Sequence, residues 1–154
     1  SNELLNGAYG IDFRYDEGTV ISKGAKGFLG ANAVGAGTMA FAGLAALPIT
    51  RPLLKKFLPK PGEGPTPEAI ENGHYHIELR GIHPTDPSKN MTAHVKGDKD
   101  PGSGSTSKMI VESALALAQN DLPVKGGFWT PASAMGDALL SRLPASAGVT
   151  FEIE

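Results

Sequence analysis

Four short segments of the chain alternate apolar and polar residues, and in all four the apolar residues fall on odd positions. Such alternation predicts β-strands with one face in water, which is typical of antiparallel sheets. The apolar positions are 9, 11, 13 and 15; 75, 77 and 79; 91, 93 and 95; and 149, 151 and 153. The second and third segments are joined by residues 83–89 and predict a hairpin.

Two threonines followed by proline predict helix starts, because threonine caps a helix and proline suits its first turn. Thr66 begins a short helix that ends at Gly73, and Thr130 begins a helix with an apolar stripe at 135, 139 and 143. A helix over 105–120 is apolar around most of its circumference and is expected to be central, and 51–58 predicts a short amphipathic helix. The predicted fold class is α+β, with a single mostly antiparallel sheet and helices packed on one face.

Residues 27–50 form a long stretch without charge. Its 24 residues are enough to cross a membrane, but five are glycine and seven are alanine. Exposed apolar surface of this size is rare on a soluble monomer. We therefore interpret 27–50 as a Gly/Ala-rich contact segment against another domain or subunit. A membrane span and a shallow contact with a membrane surface stay as alternatives.

The charge and cysteine content narrow the partners and the compartment. The net charge is −2 and the basic residues look scattered, so nucleic acid is not expected as a partner. The chain has no cysteine, which removes disulfides, thiolate nucleophiles and cysteine-type zinc sites. We expect a cytoplasmic location, with membrane association left open.

The first residues predict that the chain was excised from a longer protein. Ser1 and Asn2 resemble the scar of a removed expression tag, so 1–2 is set aside from the fold. Residues 4–15 already have the pattern of a strand, and no methionine starts the chain. Residues 3–154 are therefore predicted to be one α+β domain of a larger protein.

Residues 100–108 supply the candidates for anion binding, because they lead into the predicted helix 105–120. Free N–H groups at a helix start, together with hydroxyls and a lysine, suit a carboxylate or a phosphate. The candidates are Ser105, Thr106 and Lys108. The alternative is a turn followed by an ordinary helix cap.

Residues 35–40, with the sequence GAGTMA, match the G-x-G-x-x-[GA] pattern of dinucleotide-binding loops. That loop needs a strand before it and an acid about 20 residues later. Residues 30–34 make a poor strand, and the next acid is Glu63. We interpret the match as chance in a Gly/Ala-rich segment.

The remaining candidates are single residues rather than a set. Trp129 adjoins a helix start and is a candidate to line a pocket; the alternative is packing against the sheet. Asp137 lies off the apolar stripe of that helix and is a second candidate; the alternative is a solvated helix face. His74 and His76 share one strand face, but no third ligand is indicated, so no metal site is predicted. Catalytic residues stay unknown, since no nucleophile–base order is specific.

Six short blocks follow one another from about Ala46 to the end of the chain. They are GEGP at 62–65, GD at 97–98, DPG at 100–102, TSKM at 106–109, TPASAMGDAL at 130–139 and GVTFE at 148–152. In this order the blocks resemble the C-terminal part of saccharopine dehydrogenase-like oxidoreductases, and the last two are the most specific. Ser103 departs from the pattern, since such proteins often carry an aromatic residue there.

The resemblance implies a protein with an N-terminal Rossmann domain for NAD(P), followed by an α+β domain that makes substrate and dimer contacts. This chain would be part of the second domain, with the Rossmann domain of the same polypeptide and a second copy as partners. It would bind no cofactor itself, while NAD(P) is implied for the full-length protein. Ser105, Thr106 and Lys108 would contact the substrate, with Trp129 and Asp137 near the same pocket.

The first functional hypothesis is therefore the substrate-side and assembly domain of an NAD(P)-dependent oxidoreductase of that family. The isolated piece is expected to be inactive. The alternative is a non-catalytic module that mediates oligomerisation or membrane-surface contact through 27–50. A stand-alone hydrolase or metal enzyme is disfavoured, because a nucleophile, a base and a ligand set are all lacking.

Overall fold

The structure is a computed structural model and describes residues 1–60, 62–119 and 121–154. The helices are α1 (Gly24–Ala46), α2 (Arg51–Leu54), α3 (Pro67–Asn72), α4 (Gly104–Gln119) and α5 (Pro131–Arg142); the strands are β1 (Tyr75–Gly81), β2 (Met91–Gly97) and β3 (Val149–Ile153). A 3-10 turn lies at Pro87–Lys89 and a π-turn at Leu143–Ala147. The chain forms two compact units, 1–11 with 65–154 and 12–64.

The first unit contains a three-stranded antiparallel sheet in the order β1-β2-β3. Directly opposite residues share a face, so the register lines up two rows on the apolar side. One row is Ile77, Val95 and Phe151, and the next is Tyr75, Gly97 and Val149. The predicted α+β class and the β1–β2 hairpin are confirmed.

Helices α4 and α5 and the π-turn lie on the apolar face near the start of β3, and two clusters of buried side chains result. Ala116, Ala134 and Met135 form one cluster, and Leu143, Ala147 and Val149 form the other. Leu139 packs against both. Of the predicted stripe at 135, 139 and 143, Met135 lies in the first cluster and Leu143 in the second, and Leu139 links the two.

The predicted helix starts are confirmed by their hydrogen bonds. Thr66 Oγ1 accepts the N–H of Ala69 at 3.2 Å, and α3 ends before Gly73. At the start of α5, Ser133 Oγ accepts the N–H of Thr130 at 3.1 Å. The helix predicted over 105–120 begins one residue earlier, and Asn120 lies outside the described residues.

The predicted strand within residues 4–15 is wrong. Asn6, Gly7 and Gly10 have positive φ angles of 53°, 76° and 94°, a left-handed conformation that no regular strand contains. The side chain of Asn2 closes the resulting loop, because its Oδ1 accepts the N–H of Tyr9 and its Nδ2 donates to the carbonyl of Gly10. Local polar contacts therefore prevail over the period-2 pattern.

Helix α4 is not central, contrary to the prediction from its composition. Its buried residues are Gly104, Ser105, Glu112 and Ala116, which lie on the side that meets the sheet and α5. Ile110 and Val111, on the other side, are 67% and 55% exposed. This apolar side of α4 therefore faces out.

The second unit is built around α1, which takes up most of the uncharged segment 27–50. Gly27 is the one buried residue of α1, because residues 21 and 22 fold back over its first turns. A Cβ atom at Gly27 would overlap the carbonyl of Ser22. The short α2 follows at Arg51, inside the predicted amphipathic segment 51–58, and none of its residues is buried.

Candidate functional site

An apolar groove with a volume of about 460 Å³ runs along the helix-covered end of the sheet. The two rows of strand residues described above form its floor. Its sides are formed by Pro101, which precedes α4, by Met109 of α4 and by Leu143 of the π-turn. Every lining side chain is a hydrocarbon, a thioether or an aromatic ring, so the groove suits an apolar ligand.

The Tyr75 ring closes one end of the groove by lying across β2 at Gly97. A Cβ atom at position 97 would overlap that ring, so the ring position depends on glycine there. The Tyr75 hydroxyl is 3.0 Å from Ser105 Oγ, and Ser105 is fully buried. The hydrogen bond ties the sheet to the first turn of α4 and leaves the face of the ring to the groove.

Beyond the groove, the apolar face of the sheet stays open. Leu79 is 46% exposed, Met91 54% and Ile153 71%. The expectation that helices cover the apolar face is therefore met at one end of the sheet only. The groove and the open part together form one continuous apolar surface.

Three of the predicted substrate contacts lie together at the first turn of α4, beside the groove. Two of their hydroxyls already bond within the protein: Ser105 with Tyr75, and Thr106 with the carbonyl of Pro101 at 2.5 Å. Lys108 Nζ lies 3.9 Å from a carboxylate oxygen of Asp98. These contacts match the turn-and-cap alternative, while a role in substrate binding stays a prediction.

Trp129 lies at a different place from those three residues. It lines a cleft of about 560 Å³ that also includes Leu117 and Leu122, near the other end of α4. Twelve residues of helix separate Ser105 from Leu117, which is about 18 Å at 1.5 Å per residue. Trp129 Nε1 donates to the carbonyl of Lys125 at 2.9 Å. The structure therefore does not place Trp129 in a pocket with Ser105.

Asp137 is exposed on α5 and follows Gly136, whose φ of 33° and ψ of −115° interrupt the helix. Met135, two residues earlier, is buried, so Asp137 points away from the core. Asp137 lines neither the groove nor the Trp129 cleft. The five predicted contacts thus fall into three separate places.

The polar face of the sheet carries a histidine pair and an ion pair. His76 Nε2 lies 2.9 Å from His94 Nδ1, and Lys96 Nζ donates to Glu152 Oε2 at 2.6 Å. The Lys96 hydrogen bond and its charge lower the pKa of Glu152. In the described parts of the chain, no three histidine or acid side chains gather closely enough to hold a metal ion.

The GAGTMA match at 35–40 does not form a dinucleotide-binding loop. The GAGTMA match at 35–40 lies inside α1, so its N–H groups are used by helical hydrogen bonds rather than presented by a loop. No strand of the described sheet precedes it. The interpretation of this match as chance is consistent with that placement.

Curated relatives of the chain share one name. A trans-acting enoyl reductase of Mycobacterium bovis is 39% identical over 158 residues, which cover 98% of this chain and 36% of that protein. Its counterpart in Mycobacterium ulcerans is 38% identical over 152 residues, 94% of this chain and 35% of that protein. A Mycobacterium tuberculosis protein that carries the same name provisionally is 42% identical over 161 residues, 99% of this chain and 37% of that protein.

The chain thus spans a little over a third of the length of these relatives. No protein-family profile and no solved structure matches it.

These names correct the resemblance drawn from the sequence blocks. Matches that cover almost the whole chain carry the name enoyl reductase, so the assignment to saccharopine dehydrogenase-like oxidoreductases is wrong. The function predicted from that family falls with it, and the relatives do not favour the non-catalytic alternative either. The broader class of oxidoreductase is compatible with the names.

The groove residues were not singled out from the sequence as a site. Tyr75, Ile77 and Val95 were assigned only to the apolar face of predicted strands. A tyrosine at an inward-facing position is a usable signal, because its hydroxyl needs a partner when the ring is buried. That partner, Ser105, was among the candidates, but for a different reason.

Proposed function

We propose that this chain supplies the acyl-binding surface of an enoyl reductase, and that residues outside the chain hold the hydride donor. The observation that carries the proposal is the apolar groove floored by Ile77, Val95 and Phe151. The similarity to trans-acting enoyl reductases gives the reaction class.

An enoyl substrate has a C=C bond conjugated to a carbonyl, and everything beyond that bond is a hydrocarbon tail. Burying a CH₂ group contributes about 0.8 kcal/mol, so an apolar groove can bind such a tail without polar contacts. A volume of about 460 Å³ lies within the usual range for small-molecule sites.

Reduction of the C=C bond adds a hydride to one carbon and a proton to the other. A nicotinamide cofactor supplies such hydrides in many reductases. Since the GAGTMA match lies inside α1 and forms no dinucleotide-binding loop, we assign the donor to a part of the protein outside this chain. The role of this chain is to bind and orient the acyl tail.

The test is an enoyl-thioester reduction assay on the full-length protein that contains this chain, followed by NADPH oxidation and by product mass. The variants Ile77→Ser and Phe151→Ser remove apolar contacts from partly exposed groove positions, so folding should persist. Each should raise KM for a long-chain enoyl thioester about tenfold, equivalent to about 1.4 kcal/mol, and leave a four-carbon substrate nearly unchanged.

Ile110→Ser is the matched control, because Ile110 is an exposed isoleucine on α4 outside the groove. It should leave KM unchanged for both substrates. If no enoyl thioester is reduced, the assigned reaction is wrong. If reduction occurs but the groove variants treat long and short substrates alike, the acyl-binding role is wrong.

A further inference from the structure

We propose that α1 attaches this protein to an anionic lipid surface, lying in the plane of the membrane with both ends on the same side. The attachment is proposed in addition to the role in enoyl reduction, so it differs from the non-catalytic module considered from the sequence. It is independent of the acyl groove, because it rests on residues 12–64 alone. Three observations carry it: the surface of α1, the charges around it and the path of the chain.

The surface of α1 is apolar on all sides. Phe28 and Met39 lie on one side of the helix and are 71% and 75% exposed, while Val34 and Phe41 lie on another and are 60% and 48% exposed. The length and composition of α1 are also sufficient for a membrane helix. Water is a poor solvent for such a helix, whereas lipid tails are a good one.

The two polar side chains in the middle of α1 bond to the helix itself. Asn32 Nδ2 donates to the carbonyl of Phe28 at 2.8 Å, and Thr38 Oγ1 donates to the carbonyl of Val34 at 2.9 Å. Polar groups in an apolar medium need such internal partners, since lipid tails offer none. Both side chains can therefore enter the acyl region at little cost.

The charges that flank α1 most closely are positive, and the nearest acids are Glu17 and Glu63. Residues 18–62 contain no acid, although the whole chain has 16, and they contain six of its 14 basic residues. Lys23 precedes α1 and Lys26 lies in its first turn. The other four follow α1: Arg51, Lys55, Lys56 and Lys60. Basic residues on both sides of an apolar helix complement anionic headgroups, with about 1 kcal/mol for each lysine or arginine near the surface. The basic residues of this chain are thus less scattered than its overall charge suggests.

The C-terminal end of α1 is closed by the same basic segment. Arg51 Nε donates to the carbonyl of Ala45 at 2.9 Å, and Thr50 Oγ1 donates to the carbonyl of Leu47 at 2.9 Å. A cation at this end complements the helix dipole and satisfies carbonyls that the helix leaves free. The helix therefore ends in a polar cap that suits the headgroup region.

The path of the chain excludes a simple crossing of the membrane. Residues 1–11 and 65–154 belong to one compact unit, so the chain leaves that unit before α1 and returns to it afterwards. If α1, at about 35 Å, crossed a bilayer core of about 30 Å, residues 47–64 would have to cross back. That segment carries Arg51, Lys55, Lys56 and Lys60 and cannot do so. Both ends of α1 must then face the same leaflet.

The first test is cosedimentation of the chain with vesicles of phosphatidylcholine, with and without phosphatidylglycerol. We expect binding to the anionic vesicles only, and a partition coefficient at least tenfold lower for the double variant Lys55→Glu/Lys56→Glu. The control Lys89→Glu/Lys125→Glu changes the net charge equally, outside the basic segment, and should bind as the parent does. Met39→Asp/Phe41→Asp should abolish binding, while Ile110→Asp/Val111→Asp, on α4, should not.

The second test fixes the orientation and uses the absence of cysteine from the chain. Gly18→Cys and Lys60→Cys place one thiol on each side of α1. In sealed inverted vesicles from the expressing bacterium, both thiols should react with a membrane-impermeant maleimide. Protection of one thiol until detergent is added would show a spanning helix and overturn the in-plane arrangement. Absence of vesicle binding, or binding that charge reversal leaves unchanged, would overturn the attachment itself.

Discussion

Arg142 Nε donates to Glu112 Oε2 at 2.9 Å, and this ion pair joins the end of α5 to the middle of α4. The side chains are only 24% and 11% exposed, so neither charge is well hydrated. Glu112 lies one helical turn before Ala116 of the first buried cluster, so the pair links α5 to the side of α4 that is buried. That packing in turn places the π-turn and Leu143 at the side of the groove.

Glu112→Ala should lower the free energy of unfolding by about 2 kcal/mol, because it leaves the Arg142 guanidinium partly buried without its partner. Urea unfolding followed by circular dichroism measures the effect. The control is Glu152→Ala, which breaks an exposed pair with Lys96 and should cost much less. Equal losses for the two variants would contradict the interior role of the Glu112 pair.

Tyr75→Phe should destabilise the protein by about 1–2 kcal/mol, because it leaves the buried Ser105 hydroxyl without its tyrosine partner. Ser105→Ala in the same background should recover part of that loss. The measurement is a double-mutant cycle by urea unfolding. A coupling energy near zero would show that the hydroxyl pair does not tie the sheet to α4.

Gly148→Ala should cost at least about 1 kcal/mol. Gly148 has a φ of 69°, which alanine adopts with strain, and an added Cβ atom would overlap the Asp98 carboxylate. Gly126→Ala is the control, because no atom lies within 4 Å of the new Cβ and its φ is not left-handed. Thermal unfolding that shows equal shifts for both variants would contradict the assigned geometry at Gly148.

Acid should weaken the sheet through its exposed ion pairs. The Lys96 ammonium lowers the pKa of Glu152, and the Arg80 guanidinium lowers that of Glu78. A pKa that is lower in the folded state gives stability that is present above the unfolded value, about 4.3, and is lost as the pH falls through the folded value. The urea midpoint should therefore fall from pH 6 to pH 3, and the fall should be smaller at high salt.

Lys96→Met is the variant that tests the cause, because it removes the partner of Glu152 and should make the acid-induced fall in the midpoint smaller. Lys125→Met, which removes a lysine that forms no ion pair among the described residues, should leave that fall unchanged. An identical pH profile for the parent and Lys96→Met would contradict the contribution of the pair.

The sheet could be predicted from the sequence because its three strands alternate cleanly and meet one another. The same alternation at 9, 11, 13 and 15 misled, since a pattern cannot reveal whether a partner strand exists. Left-handed Asn6 and Gly7 and the side chain of Asn2 form a closed loop there instead. The N-caps at Thr66 and Thr130 were predictable because capping depends on neighbouring residues only.

The groove could not be predicted, because it depends on contacts between distant residues. Ile77, Val95 and Phe151 line up only once the register of both strand pairs is fixed. The need for glycine at position 97 follows from the Tyr75 ring, which lies 22 positions earlier in the chain. The exposed half of the sheet was equally hidden, since composition does not show how much of a face the helices cover.

The most direct test of the central claim is methyl and aromatic NMR of the chain, titrated separately with a long-chain enoyl thioester and with NADPH. The account predicts that the thioester shifts the signals of Ile77, Val95, Val149 and Phe151, and that NADPH shifts none of the signals of this chain. A thioester that leaves these four residues unchanged, or NADPH shifts of the Val34 and Ala36 methyl signals in α1, would contradict it.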